Sequence, residues 1–256
     1  MATTNTFRGA PEQARQRRQA AGRAALRGTP APDDDVQWFD LRSVPAMPWK
    51  NGGGSTRELA CWPPGADTSG FDWRVSVASI AAAGPFSVFA GVDRHIMLLD
   101  GDGVHLAQPV DDSAAQAPGD MPGSIAHSLH QRWQPFAFAG DVPIDCAMLG
   151  GPSTDFNLML RRGRCHGDVQ VLREACAAGP EGAGLCMVLQ GQWAVLGGER
   201  SYVLGAGQGL WWPGPLAARS LEPLVAIGHA NTAASPFAPD ARPALVRVTV
   251  REAGFG

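Results

Sequence analysis

The sequence predicts an all-β protein, and three observations carry that reading. The 256 residues include 32 glycines and 21 prolines, about a fifth of the chain against an average of ~12%. Backbone breakers at that density leave no room for long helices. Short apolar segments then recur at roughly ten-residue spacing with turn residues between them, the pattern of a sandwich or barrel. Where a segment is long enough to show a period, the period is two. Over residues 71–78, Phe71, Trp73, Val75 and Val77 fall on one face, and Arg74, Ser76 and Ala78 on the other.

The elements follow in order. Residues 1–28 carry six arginines and a single acid, Glu12, and lead through Gly28, Pro30 and Pro32 into Asp33, Asp34 and Asp35. This composition predicts a disordered, Arg-rich leader and linker over residues 1–35. It lacks the apolar core of a secretory signal. Strands are then expected at 55–60, 71–78, 94–99, 104–107, 136–139 and 144–149, and again at 169–172, 185–190, 193–196, 210–212, 224–227 and 244–250. The stretch Leu98-Leu99-Asp100-Gly101-Asp102-Gly103-Val104-His105-Leu106 aligns with Val188-Leu189-Gln190-Gly191-Gln192-Trp193-Ala194-Val195-Leu196. Both are apolar strand, glycine turn, apolar strand, which predicts one hairpin present in two copies of a β unit. Two small jelly-roll barrels would give this pattern, one over 36–165 carrying the site and one over 166–256.

Composition excludes several function classes. No run of ~18 apolar residues is present, so no helical membrane span is expected. The net charge of −3 gives no electrostatic reason to bind nucleic acid. With residues 1–28 set aside, fifteen bases face twenty-three acids, so any anion site must be built locally against an acidic background. The five cysteines (Cys61, Cys146, Cys165, Cys176 and Cys186) include no CxxC pair. That argues against a disulfide scaffold or a structural zinc site and points to reduced thiols in a cytoplasm. The six histidines contain no HxH, and His127 and His130, three apart, fall in a Gly/Pro-rich stretch read as loop. No metal and no cofactor are expected, and no GxSxG nucleophile elbow occurs. Homo-oligomerisation stays open.

The chemistry concentrates in four stretches. In residues 47–58, Gly52, Gly53 and Gly54 let backbone approach a ligand closely. Lys50, the only lysine of the chain, and Arg57 supply cations there, with Asn51 and Thr56 as orienting groups and Trp49 as an apolar wall. Lys50 precedes the glycines, so this is not a phosphate loop of the GxxxxGK[ST] kind. Residues 73–76 place Arg74 and Ser76 opposite an apolar face, turned to solvent or into a polar lumen. Residues 84–95 add Phe86 and Arg94. Over residues 155–163, alternation sets Asp155, Asn157, Met159 and Arg161 on one face and Phe156, Leu158 and Leu160 on the other. Arginine grips a carboxylate in a bidentate fork, so such a face suits a cavity for a small acid. Five cations cannot all be buried in one cavity uncompensated. Two or three of them, balanced by Asp155 and Glu58, is the expectation.

Taken together, Pro48-Trp49-Lys50-Asn51-Gly52-Gly53-Gly54-Ser55-Thr56-Arg57-Glu58, Trp73-Arg74-Val75-Ser76, Gly84-Pro85-Phe86-Ser87 with Asp93-Arg94, and Asp155-Phe156-Asn157-Leu158-Met159 with Arg161-Arg162-Gly163 resemble the HutD/Ves family over about residues 36–250. The resemblance implies a bicupin, two jelly-roll barrels in one chain, without the cupin metal ligands. It also implies a link to bacterial histidine utilisation, with formylglutamate as a ligand, or to the stress-induced proteins of the Ves branch. The leading expectation is a cytoplasmic protein that binds and regulates through a small acidic metabolite. Its contacts would be Trp49, Lys50, Asn51, Thr56, Arg57, Arg74, Ser76, Phe86, Arg94, Asp155, Asn157 and Arg161. Two alternatives stay open: a metal-independent enzyme with Lys50 or Asp155 as acid/base, and a protein-interaction module.

Overall fold

The computed structural model describes residues 35–109, 125–224 and 242–253. Residues 1–34 of the leader and linker expected over 1–35, and residues 225–227 of the strand expected at 224–227, lie outside that range. The described residues form strands joined by turns, with no α-helix. The first half holds β1 (Gln37–Asp40), β2 (Met47–Pro48), β3 (Gly54–Trp62), β4 (Trp73–Ile80), β5 (Gly84–Pro85), β6 (Val92–Gly101), β7 (Val104–Ala107), β8 (Ala126–Leu129), β9 (Phe136–Ala139), β10 (Asp145–Met148) and β11 (Ser153–Arg161). The second holds β12 (Cys165–Leu172), β13 (Cys176–Ala178), β14 (Ala183–Gln190), β15 (Gln192–Leu196), β16 (Tyr202–Gly205), β17 (Gln208–Trp212), β18 (Arg219–Leu224) and β19 (Ala244–Glu252). The stretch around His127 is thus the strand β8, not the loop its Gly/Pro-rich surroundings suggested.

The strands make four antiparallel sheets, ordered β2-β3-β4-β11-β6-β9, β5-β10-β7-β8, β1-β17-β14-β19-β12 and β13-β18-β15-β16. Alternation decides what each face meets. On the six-stranded sheet, Trp73, Val75 and Val77 of β4 and Phe156, Leu158 and Leu160 of β11 turn to one side. There they pack against Leu185, Met187, Val246, Val248 and Val250 of the five-stranded sheet. This core between the two large sheets joins the halves. Each fully buried aliphatic side chain in it contributes roughly 1.5–3 kcal/mol. The other face of the six-stranded sheet meets the β5-β10-β7-β8 sheet through Ile80, Ile96, Leu98, Leu106 and Ile144. The other face of the five-stranded sheet meets β13-β18-β15-β16 through Val188, Trp193, Leu204, Trp212 and Leu221.

Strand order is duplicated. β4-β11-β6-β9 in the first half corresponds to β12-β19-β14-β17 in the second, and β5-β10-β7-β8 to β13-β18-β15-β16. The repeated glycine segments seen in the sequence are equivalent elements, but they are not hairpins. β6 pairs with β11 and β9, whereas β7 pairs with β10 and β8. The turn with Gly101 and Gly103, both at positive φ, therefore carries the chain from one sheet to the facing one. Gly191 does the same between β14 and β15. No hydrogen-bonded pairing among the described residues joins a large sheet to its smaller partner, so the halves are facing sheets rather than closed barrels. β1 departs from the duplication. It pairs with β17, Trp38 opposite Leu210, and so ties the start of the described chain to the second half.

Candidate functional site

The glycine-rich segment before β3 folds into a tight turn whose purpose is to place Trp49. Gly52 sits at φ +72°, a conformation glycine adopts without penalty, and its N–H donates to the Trp49 carbonyl at 3.0 Å. The Trp49 N–H donates to the Gly54 carbonyl at 2.9 Å, and Asn51 Oδ1 accepts from the Gly53 N–H at 3.1 Å. A Cβ on Gly54 would strike the Ser79 carbonyl and stand 3.0 Å from the Trp49 ring, so only glycine lets the indole lie there. Trp49 Nε1 then donates to Thr56 Oγ1 at 2.8 Å, which fixes the ring over the sheet.

Beneath it lies a cavity of about 500 Å³ between the six-stranded sheet and the β5 region. Its floor is the polar face of the alternation. Thr56 on β3, Arg74, Ser76 and Ala78 on β4, Asn157 and Met159 on β11 and Arg94 on β6 all turn inward. The register brings them into rows: Asn157 is opposite Ser76 and Ile96, and Met159 opposite Arg74 and Arg94. Trp49, Lys50 and Asn51, from the turn before β3, and Phe86 and Phe89, from the segment after β5, complete the lining. Nine residues singled out in the sequence therefore meet here: Trp49, Lys50, Asn51, Thr56, Arg74, Ser76, Phe86, Arg94 and Asn157.

The two inward arginines are held differently. Arg74 Nε donates to Glu58 Oε2 at 2.7 Å, an ion pair at the rim with the glutamate about half exposed. Arg94 is 6% exposed and has no acidic partner among the described residues. Its guanidinium lies 5.5, 5.4 and 5.0 Å from the ring centroids of Phe86, Phe89 and Phe138. Nη2 donates to Asn157 Oδ1 at 3.0 Å, and Nε is buried with no hydrogen-bond partner. Burial pushes its pKa down to about 10, with the charge of Arg74 adding to the effect. Lys50 is exposed at the mouth and forms no ion pair among the described residues.

Three expected contacts do not reach the cavity. Arg57 follows Thr56 on β3, so alternation turns it to the opposite face, where it donates to the Val44 carbonyl. Arg161 is on the inward face of β11 but beyond the cavity's end, past Met159, Val92 and Phe71. It donates to the carbonyls of Ser69 at 2.8 Å, Ala90 at 3.1 Å and Phe71 at 3.3 Å, and lies over the Phe71 ring. Its role is to pin the loop before β4. Asp155 is on the inward face as well, opposite Ala78 and Leu98, but it is sealed under the floor at 0% exposure. Neither carboxyl oxygen has a hydrogen-bond partner, and burial pushes its pKa up to about 7.

The cavity also takes Thr68, Ser87, Phe89 and Met159, which were not among the expected contacts. Met159 shares parity with Asn157 and Phe89 lies in the Phe86 segment, so both had a signal. Thr68 comes from a loop brought over by the chain path and had none. Among the described residues no three His, Cys, Asp or Glu side chains stand together as metal ligands.

Residues 41–224 match the family model described as HutD. The protein Ves of Cronobacter sakazakii is 38% identical over 178 residues, covering 69% of this chain and 87% of that one. The structure of HutD from Pseudomonas fluorescens superposes with a TM-score of 0.62 at 28% identity, over 84% of this chain and 99% of that one. A conserved protein of unknown function from Pseudomonas aeruginosa gives a TM-score of 0.63 at 28% identity, over 84% and 98%.

Proposed function

The chain belongs to the HutD family, and from that premise we propose that it is a small-molecule-binding, regulatory protein of histidine utilisation. Its cavity takes a small acidic metabolite such as formylglutamate. The observation that carries this reading is Arg94. A buried guanidinium with no acid beside it is costly, and aromatic faces offset only part of that cost, at about 2 kcal/mol or more for a desolvated contact. An incoming carboxylate supplies the missing counter-charge and accepts from the guanidinium. Asn157 fixes the guanidinium plane, Arg74 and Lys50 offer further charge nearer the mouth, and Trp49 and Phe86 bracket the apolar part of the ligand.

The duplicated strand order supports two cupin-like units, each a pair of facing sheets: a site-bearing unit over 36–165, whose first strand crosses to the other unit, and a second over 166–256. All five cysteines are free thiols, which suits a reducing cytoplasm. Titration calorimetry with N-formyl-L-glutamate tests the function. Saturable binding that is weakened some thirtyfold or more in Arg94→Met, together with a ligand-dependent rise in Tm, is the expected result. No heat from N-formyl-L-glutamate, L-glutamate or urocanate overturns it.

A further inference from the structure

The two halves show what belongs at the position of Asp155. Asp155 lies opposite Leu98 on β6, and at the equivalent place Leu245 of β19 lies opposite Val188 of β14. Leu245 is fully buried among apolar side chains. Position for position, the fold calls for a leucine, and the first half puts a carboxyl there. It is the only buried carboxyl on the cavity face of β11, separated from the cavity by Ala78 beside it and by Asn157 two residues along.

The charges around it are few. β4 presents Ala78 and Ile80 to this interior, β6 presents Ile96 and Leu98, and β7 presents Val104 and Leu106. The titratable groups turned the same way are Cys146 on β10, His127 on β8, and, farther along the sheet, Arg94 and the Arg74–Glu58 ion pair, which cancels its own charge. Burial raises the Cys146 thiol to about 11. His127 lies flat on Phe136, with ring centroids 3.8 Å apart, and burial lowers its pKa. Among the described residues no cation is hydrogen-bonded to Asp155. The interior therefore holds one guanidinium without an acid and one carboxyl without a base, set apart along the same face.

Resting on the acid-binding reading above, we infer that Asp155 sets the charge the cavity accepts: an anion is bound by the form with Asp155 neutral. With Asp155 protonated, Arg94 gives the interior a charge of +1 that one carboxylate cancels. With Asp155 ionised, the interior is already neutral, and an entering carboxylate adds a second negative charge in a poorly solvated space. Like charges sharing a site raise the pKa of the protonatable one. Binding of a carboxylate therefore draws a proton onto Asp155.

The test is titration calorimetry with N-formyl-L-glutamate between pH 5.5 and 9, in two buffers of different ionisation enthalpy. The wild type takes up protons on binding, and its Kd rises by about tenfold per pH unit above the Asp155 pKa. Asp155→Asn keeps the shape of the group and removes its titration, and it retains His127, Cys146 and both arginines. It gives a flat profile without proton uptake. The same slope in wild type and Asp155→Asn overturns the inference, as does a wild-type profile with no slope. A complete lack of binding defeats the choice of ligand, and the infrared titration of Asp155 then decides the matter. A protonated-carboxyl band near neutral pH that disappears on raising the pH and is missing from Asp155→Asn supports the neutral form. Its absence at pH 6 overturns it.

Discussion

The two halves of this chain share a strand order and differ in what fills them. β4-β11-β6-β9 facing β5-β10-β7-β8 encloses a cavity of about 500 Å³. β12-β19-β14-β17 facing β13-β18-β15-β16 encloses Trp193, Trp212, Leu204, Leu210 and Leu221. A void near Ala178 and Trp212 has only about 10 Å³, no more than one water needs. Each half also buries an arginine. Arg219 of β18, 4% exposed, donates to the carbonyls of Gly197 and Arg200 at 2.8 and 3.2 Å, and so ties a loop to the sheet. Arg94 has three aromatic rings and one asparagine oxygen. The same architecture supports a packed core or an open cavity, and interior side chains decide which.

The sharpest test of that division is to empty the filled half. Trp193 is fully buried, and Trp193→Ala should cost about 3–5 kcal/mol, as large-to-small changes in cores do. Denaturant unfolding measures it. Affinity for N-formyl-L-glutamate in the fraction that remains folded should stay within about threefold, since no side chain of this core lines the cavity. A loss of binding larger than the population unfolded would mean that the halves are coupled through the central core.

The next test exchanges one half's residue for the other's. Asp155→Leu installs the residue that Leu245 represents in the second half. In the wild type, Asp155 has its pKa raised from 3.8 to about 7. The stability this group permits is fully present below its unfolded value and lost as pH rises through about 7. At 1.36 kcal/mol per unit, that is roughly 4 kcal/mol between pH 4 and pH 8. Asp155→Leu should remove this part of the pH dependence and be the more stable protein at pH 8. Equal slopes in the two proteins would mean that Asp155 meets a partner in solution. Arg94→Met goes the same way on a smaller scale. It should leave stability unchanged or raised, because it removes an uncompensated buried charge. It should weaken ligand binding by about 2 kcal/mol or more, some thirtyfold, read by calorimetry.

How much of this was legible follows from what a strand's period can say. Parity assigned Phe71, Trp73, Val75 and Val77 to one face and Arg74 and Ser76 to the other. From Trp73 onward both faces are as expected, but Phe71 precedes β4 and packs with Cys61, Val92 and Met159 on the Arg74 side, because the alternation starts only where the strand does. The same rule would have excluded Arg57, since Thr56 faces in and its neighbour cannot. Chemical type outweighed parity in naming it. Depth along a strand is the harder quantity. Asp155, Asn157 and Arg161 share a face, yet one lies under the floor, one in the cavity and one beyond its end. That ordering depends on which strands stand opposite. Pairing across long sequence separations is likewise absent from local pattern, as with β1 on β17 and the sheet-to-sheet turns mistaken for hairpins. The duplication was visible through its glycines because both copies require the same corner.

The smallest expected effect concerns the rim, where the halves carry opposite charge. Arg74 lies opposite Met159, and the equivalent residue of the second half is Asp168, opposite Thr249. Asp168 is exposed and accepts from the Val169 N–H and the Gln170 amide, so that sheet offers no cation at this place. In the first half Glu58 already occupies part of Arg74's donor fork. An ion pair with the glutamate half in water is worth about 0–1 kcal/mol, so Glu58→Gln should hardly move the unfolding midpoint. It should release Arg74 toward the cavity and tighten binding of N-formyl-L-glutamate by about two- to fivefold at low ionic strength. That gain should shrink in high salt, because a charge this close to solvent is screened. Weaker binding in Glu58→Gln would assign Glu58 a different part. It would then hold the guanidinium in the orientation the ligand uses, and the rim pair would belong to the site as a unit rather than competing with its ligand.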